Sequence, residues 1–221
     1  MLKLHDYWRS SAAYRVRIAL NLKGLDYKQD GHDLRTNAQH LDSYKALNPQ
    51  GLVPALDIGG QVLTQSSAII EWLEETCPEP PLLPRAAADR ATVRSMAALI
   101  ACDIHPLNNL RVLRELKNDW NANDRQTKMW ATGWIAEGFT ALETLIAHNG
   151  QGYCFGNTPT LADCFLVPQV FSAQRFNVSL DPYPHIRAVN ERCDEHPAFS
   201  RAHPAHQPDA DTVDFNITQT T

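Results

Sequence analysis

The sequence predicts an α/β domain followed by an all-α domain. Three observations carry this. The first eighty or so residues alternate short apolar runs with helical patterns, in the order β-α-β-α-β-β-α. Four prolines then fall between Cys77 and Arg85, a density no helix tolerates. Beyond them only helical periodicity recurs. The expected boundaries are 1–80 for the first domain, 86–208 for the helical domain and 209–221 for a polar tail.

Each element has a local reason. Leu2 to Tyr7 is a short strand candidate. Ser10-Ser11 opens a helix to Lys23 that stops at Gly24. Val16, Ala19, Leu20 and Lys23 follow i, i+3, i+4, i+7, with the Lys23 stem at the frayed end. Asp26 to Gly31 reads as a strand and Asp42 to Leu47 as a short helix. Ala55 to Ile58 and Gln61 to Thr64 flank Gly59-Gly60, a hairpin signal. A helix begins near Ser66 and carries Ile69, Ile70, Trp72 and Leu73. After the prolines, Ala87 to Asn118 reads as one long helix kinked at Pro106. Asp124 to His148 is another, with Trp134, Leu142 and Leu145 on one face. Thr160-Leu161-Ala162-Asp163 matches a capping box with Asp in place of Glu, opening a helix through Val170. Tyr183 to Glu195 suggests a last helix, and the chain from about Ala205 reads as tail.

Composition excludes several classes. The 221 residues are 43% hydrophobic and 20% charged, with net charge −5, an ordinary globular balance. Without a basic excess, no nucleic-acid partner is expected. No apolar run approaches a membrane span, so no membrane partner is expected either. The start, MLKLHDYWRSS, has no signal-peptide core. Five cysteines (Cys77, Cys102, Cys154, Cys164, Cys193) form no C-x-x-C, which argues against a disulfide framework or a dithiol site. A cytoplasmic protein is expected. Cys193, His196, His203 and His206 have C-x2-H and H-x2-H spacing, but the segment is proline-broken and lacks a second cysteine pair, so no metal is expected. Asn216-Ile217-Thr218 is a glycosylation sequon that a chain without a secretory signal would not use.

Several segments together carry a resemblance. They are Ser10 to Leu20 (SSAAYRVRIAL), Asn48 to Pro54 (NPQGLVP), Gln65 to Ile70 (QSSAII) and Cys102 to Asn109 (CDIHPLNN). Leu161-Ala162-Asp163, Leu166 to Val170, Arg175-Phe176 and Pro182-Tyr183-Pro184 follow in order. The chain resembles the zeta-class glutathione S-transferase family from about residue 3 to about residue 208. The resemblance implies a thioredoxin-like first domain, an all-helical second domain, a homodimer, and glutathione as cofactor. It implies cis–trans isomerisation of maleylacetoacetate to fumarylacetoacetate in tyrosine and aromatic catabolism. The alternatives are maleylpyruvate isomerisation or general transferase activity. One position departs: Ala12 stands where the family often has Cys, which disfavours a mechanism needing a protein thiol there.

The resemblance also implies roles. Ser10 or Ser11 faces the glutathione sulfur, where a hydroxyl and a helix N-terminus both lower a thiol pKa; the plain alternative for the pair is helix capping. Val53, before a cis Pro54, offers its backbone to the cysteinyl part. Gln65 and Ser66 receive the γ-glutamyl end at a helix start. Gln39 makes a polar contact, with His40 as the neighbouring alternative. Asp103, His105 and Asn109 line the site, and His105 is a candidate proton-transfer group. The bland reading of that segment is that its polar residues satisfy backbone groups freed by Pro106. A dicarboxylate substrate needs cations, for which Arg9, Arg111 and Arg175 are the candidates. Arg15 and Arg17 are expected in ion pairs at a domain interface.

Overall fold

The computed structural model describes residues 1–211. Two compact units make up the chain: Met1–Pro80 together with the described chain from His196 onward, and Pro81–Glu195. The first unit holds strands β1 (Leu2–Asp6), β2 (Tyr27–Gly31), β3 (Ala55–Asp57) and β4 (Val62–Thr64), in the order β2-β1-β3-β4. β1 runs parallel to β2 and antiparallel to β3, and β3 pairs antiparallel with β4. Helices α1 (Ser11–Leu22), α2 (Asp42–Lys45) and α3 (Ser66–Thr76) complete its N-terminal part. This is the thioredoxin-like arrangement. The parallel pair needs a crossover, which α1 supplies; the antiparallel pair needs only the Asp57 to Gln61 turn. There Asp57 Oδ1 accepts Gly59 N at 2.8 Å and Gly60 N at 3.0 Å.

α1 is buried along almost its whole length, so its two arginines are buried too. Both make bonds inside the first unit. Arg17 Nη1 donates to Asp6 Oδ1 and Oδ2 at 2.8 and 2.7 Å, Nη2 to Trp8 O at 2.9 Å, and Nε to Ala202 O at 3.0 Å. A fully buried guanidinium is tolerable because its donors meet a carboxylate and carbonyls. Arg15 Nη1 donates to Ser66 Oγ at 3.2 Å. Lys23 is likewise pinned and not frayed: its ammonium meets Glu74 Oε2 at 2.6 Å and Pro80 O at 2.8 Å.

The second unit contains α4 (Ala87–Ala98), α5 (Leu110–Asn118), α6 (Asp124–Asn149), α7 (Leu161–Arg175) and α8 (Pro184–Asp194). The expected long helix over 87–118 is interrupted as its proline requires. α4 widens into a π turn (Leu99–Ile104), then tightens into a 3₁₀ turn (His105–Asn108) before α5. Pro106 has no N–H to continue the ladder, and Asn108 Nδ2 braces the turn by donating to Ile104 O at 3.0 Å. α6 approaches that turn closely at Gly138, where any Cβ would collide with the Ile104 side chain. The buried stripe of α6 is Ala131, Ile135, Phe139, Leu142 and Ile146, offset from the expected Trp134 and Leu145. α7 runs past Val170 to Arg175 despite Pro168, because nearly every residue of it is buried and packing outweighs the missing donor. Its capping box forms: Asp163 accepts Thr160 N at 2.7 Å, Thr160 Oγ1 at 2.8 Å and Cys154 N at 2.8 Å.

The expected boundaries at 208 and 209 need correction. After α8 the chain rejoins the first unit through α9 (Pro197–Ala202) and a 3₁₀ turn (Pro204–His206). Gln207 Oε1 accepts Gln29 Nε2 at 2.8 Å, and Asp209 Oδ2 accepts Trp8 N at 3.1 Å. Ala210 packs on the cluster of Tyr7, Trp8, Tyr44 and Val53. The segment is polar because its side chains serve as partners for a distant loop. Residues 212–221, with the Asn216 sequon, lie outside the described residues.

Removing Arg17 leaves the buried Asp6 carboxylate without its counter-charge, with Tyr7 N and Gln29 Nε2 still donating to it. Arg17→Ala is expected to cost about 3–5 kcal/mol in urea unfolding. The double variant Arg17→Met, Asp6→Leu is expected to recover much of it.

Candidate glutathione site

The turn between β1 and α1 carries Arg9, Ser10 and Ser11. It is held from both sides, by Arg17 on Trp8 O and by Asp209 on Trp8 N. Ser10 is the N-cap of α1: its backbone is extended and its Oγ accepts Ala13 N at 3.3 Å. Ser11 is the first helical residue, 8% exposed, with no hydroxyl hydrogen bond among the described residues. The two serines are therefore not equivalent. One hydroxyl is committed to the backbone, and the other lies beside the positive end of a twelve-residue helix. Arg9 Cζ stacks 5.4 Å from the Trp8 ring.

The loop before β3 lies next to this turn. Val53 packs in the cluster with Tyr7 and Trp8, and the Val53–Pro54 bond is cis. Leu52 O accepts Tyr44 OH at 2.7 Å and Asn48 Nδ2 at 2.6 Å. Gly51 has φ +62°, and a Cβ there would come within 2.9 Å of His40 Nδ1 and 3.1 Å of Gln39 O. The loop and the Gln39-His40 turn thus fit only with glycine. Gln39 is 6% exposed, and its Oε1 has no hydrogen-bond partner among the described residues. A buried, uncommitted acceptor beside the loop favours Gln39 over exposed His40 as the polar contact.

Gln65 and Ser66 stand at the start of α3. Gln65 has φ +68°, a strained conformation that turns the chain sharply into the helix. Its Nε2 donates to Gln50 Oε1 at 2.6 Å, tying the α3 start to the same loop. The first α3 amide groups lack intrahelical acceptors, and Arg15 lies behind Ser66. Backbone donors, a hydroxyl and a guanidinium make an anion site. Arg15 is the member that sequence reasoning did not assign to this site. The signal was available: one helical turn beyond Ser11, it faces the same side of α1.

The remaining candidates belong to the second unit. Asp103 is exposed in the π turn, and half-buried His105 opens the 3₁₀ turn. Asn109 is the N-cap of α5, its Oδ1 accepting Arg111 N at 3.1 Å, so capping engages its side-chain oxygen. Arg111 is exposed in the first turn of α5, and Arg175 is the exposed last residue of α7. The first unit therefore brings together Ser10, Ser11, Val53, Gln65 and Ser66, with Gln39 beside their loop.

Comparison with known families decides the ancestry. Residues 9–76 match the glutathione S-transferase N-terminal domain model, and residues 118–194 match the glutathione S-transferase C-terminal domain model. The chain belongs to the glutathione S-transferase family. A relative named maleylacetoacetate isomerase, from Pseudomonas aeruginosa, is 50% identical over 211 residues, covering 94% of this chain and 98% of that protein. A solved structure described as the holo form of maleylpyruvate isomerase, a bacterial zeta-class glutathione S-transferase, matches with TM-score 0.93 and 54% identity. It covers 95% of this chain and 100% of its own. A maleylacetoacetate isomerase from Methylobacterium extorquens, solved with malonate and glutathione bound, matches with TM-score 0.90 and 38% identity over 95% of this chain and 99% of that one.

The two serines of this transferase separate by measurement. Ser10→Ala is expected to lose about 1 kcal/mol of folding stability, as a lost N-cap does. Ser11→Ala is expected to leave the melting temperature nearly unchanged.

Proposed function

We propose that this chain is a glutathione-dependent cis–trans isomerase acting on a maleyl dicarboxylate, maleylacetoacetate in the first instance and maleylpyruvate as the close alternative. The observation that carries it is the pairing of an uncommitted Ser11 hydroxyl at the α1 N-terminus with an anion site at the α3 N-terminus. The residues present fit glutathione. Ser66, the α3 amides and Arg15 suit its γ-glutamyl carboxylate. The buried Gln39 Oε1 is free to accept from an N–H. The Val53 backbone is placed for the cysteinyl part.

When bound, glutathione supplies a thiolate that adds to the cis double bond, leaves a single bond free to rotate, and departs to restore the trans alkene. The chain's own work is electrostatic. Ser11 Oγ–H donates to the sulfur and, with the α1 dipole, holds it ionised below the ordinary thiol pKa of about 8.5. Arg9, two residues before that serine in the chain, receives one substrate carboxylate. Arg111 and Arg175 are the candidates for the other, since a guanidinium fork binds a carboxylate through two hydrogen bonds. Asp103, His105 and Asn109 are proposed to line the site, with Asn109 acting as helix cap as well. No protein thiol follows the serine pair, where Ala12 stands, and burial pushes the Cys154 and Cys193 thiols far up.

We further infer a cytoplasmic homodimer. None of the five cysteines forms a disulfide, which suits a reducing compartment. Among the described residues no helix is long and apolar enough to cross a membrane.

The ultraviolet spectra of maleylacetoacetate and maleylpyruvate, followed with and without glutathione, test the reading. Glutathione-dependent loss of the cis absorbance is expected. Equal rates without glutathione, or no turnover of either substrate, overturn it. Arg175→Ala is expected to depress turnover of these dianions far more than conjugation of a neutral electrophile. Equal losses would make Arg175 a structural residue.

A further inference from the structure

One group of titratable side chains in the first unit has no part in the chemistry above. His5 on β1 is in register with Asp30 on β2. Side chains alternate across a sheet with period two, so Asp30 and His32 share a face, and His5 points to the same side. His5 Nδ1 lies 3.0 Å from His32 Nε2 and 3.5 Å from Asp30 Oδ2. One ligand atom from each residue lies within 4.8 Å of the others. Tetrahedral ligands at about 2.0–2.1 Å from zinc sit roughly 3.3 Å from one another, so two edges of such a polyhedron are already nearly in place.

The surroundings favour a fixed site. His5 is 2% exposed. The Tyr44 ring packs against both imidazoles, its centroid 4.5 Å from His32 and 6.1 Å from His5. His32 N donates to Asp6 O at 2.7 Å, anchoring the backbone just past β2. The opposing charge is Lys3, whose Nζ lies 2.7 Å from Asp30 Oδ2. Lys3 reaches solvent and can swing away. Asp57, the other charged group near His5, adds negative potential.

We propose that His5, His32 and Asp30 form a binding site for a divalent transition cation of the zinc, cobalt or nickel type, joining β1 to the chain after β2. Two imidazoles and one carboxylate are the donor set of such ions, whereas calcium and magnesium take oxygens. Solvent completes the coordination. The site is separate from the glutathione site and does not depend on the isomerase reading. The same contact, as a hydrogen bond between two imidazoles, would hold a proton and no metal.

The test uses the full chain, untagged, free of glutathione and stripped with a chelator, with Cys102→Ser as background to remove the exposed thiol. Cobalt is titrated by visible absorption and zinc by calorimetry. One site is expected, weakened about tenfold or more by His32→Asn and by Asp30→Asn. Lys3→Met is expected to tighten it. Replacing His203 and His206 should change nothing. His32 lies outside the buried core, so its variant is expected to fold, and circular dichroism confirms this; His5→Asn is the second ligand variant. Failure of the wild type to bind either metal overturns the proposal. So does equal affinity in wild type and His32→Asn, or loss of binding only with the C-terminal histidines.

Discussion

The first unit depends on one buried cation. Arg17 reaches from the middle of α1 to two separate pieces of chain: Asp6 and the carbonyl of Trp8 at the end of β1, and the carbonyl of Ala202 in α9. Burying a guanidinium is costly, and the cost is met only because Nε, Nη1 and Nη2 each find an acceptor in fixed geometry. Lysine could not replace it, since a point charge cannot address three directions from one plane. The result is a rigid turn at Trp8. Arg9, Ser10 and Ser11 follow directly, and their positions derive from that turn.

Two helix starts then give the site its character. At α1, capping occupies Ser10 and leaves the next hydroxyl available. At α3, a strained Gln65 aims the free amide groups, and Arg15 strengthens them from behind. The loop from Asn48 to Val53 connects the two. It is braced by Tyr44, Asn48 and Gln65, and it closes on Gln39 only because Gly51 has no side chain. Positive potential in the first unit is thus local and built from backbone as much as from charge. This reconciles an anionic ligand with a chain whose net charge is −5.

Much of this was legible in the sequence, for a physical reason. The Ser10 cap, the Asp57 turn, the Thr160 to Asp163 box and the interruption at Pro106 arise from neighbours a few residues apart. Local rules describe such neighbours well. The stretches around Ser10, Val53 and Gln65 were likewise readable from their motifs. What could not be read joins distant residues. The bond from Trp8 to Asp209 spans 201 positions, and that from Arg17 to Ala202 spans 185. The polar run after Ala205 looks like solvated tail until its partners are known. Lys23 looks like an exposed helix end until Glu74 is placed beside it. The convergence of His5 and His32 needs strand register, which a single sequence does not specify.

The first unit is discontinuous along the chain, and this governs how it comes into being. Its sheet and first three helices precede the helical unit in synthesis, whereas α9 and the residues after it follow that unit. Until then Arg17 and the Trp8 amide lack acceptors that the finished structure provides. The N-terminal half must wait, incompletely locked, while the helical half is synthesised and folds. The turn that presents Ser10 and Ser11 is accordingly braced from both sides only once α9 and the residues after it have packed back on the sheet.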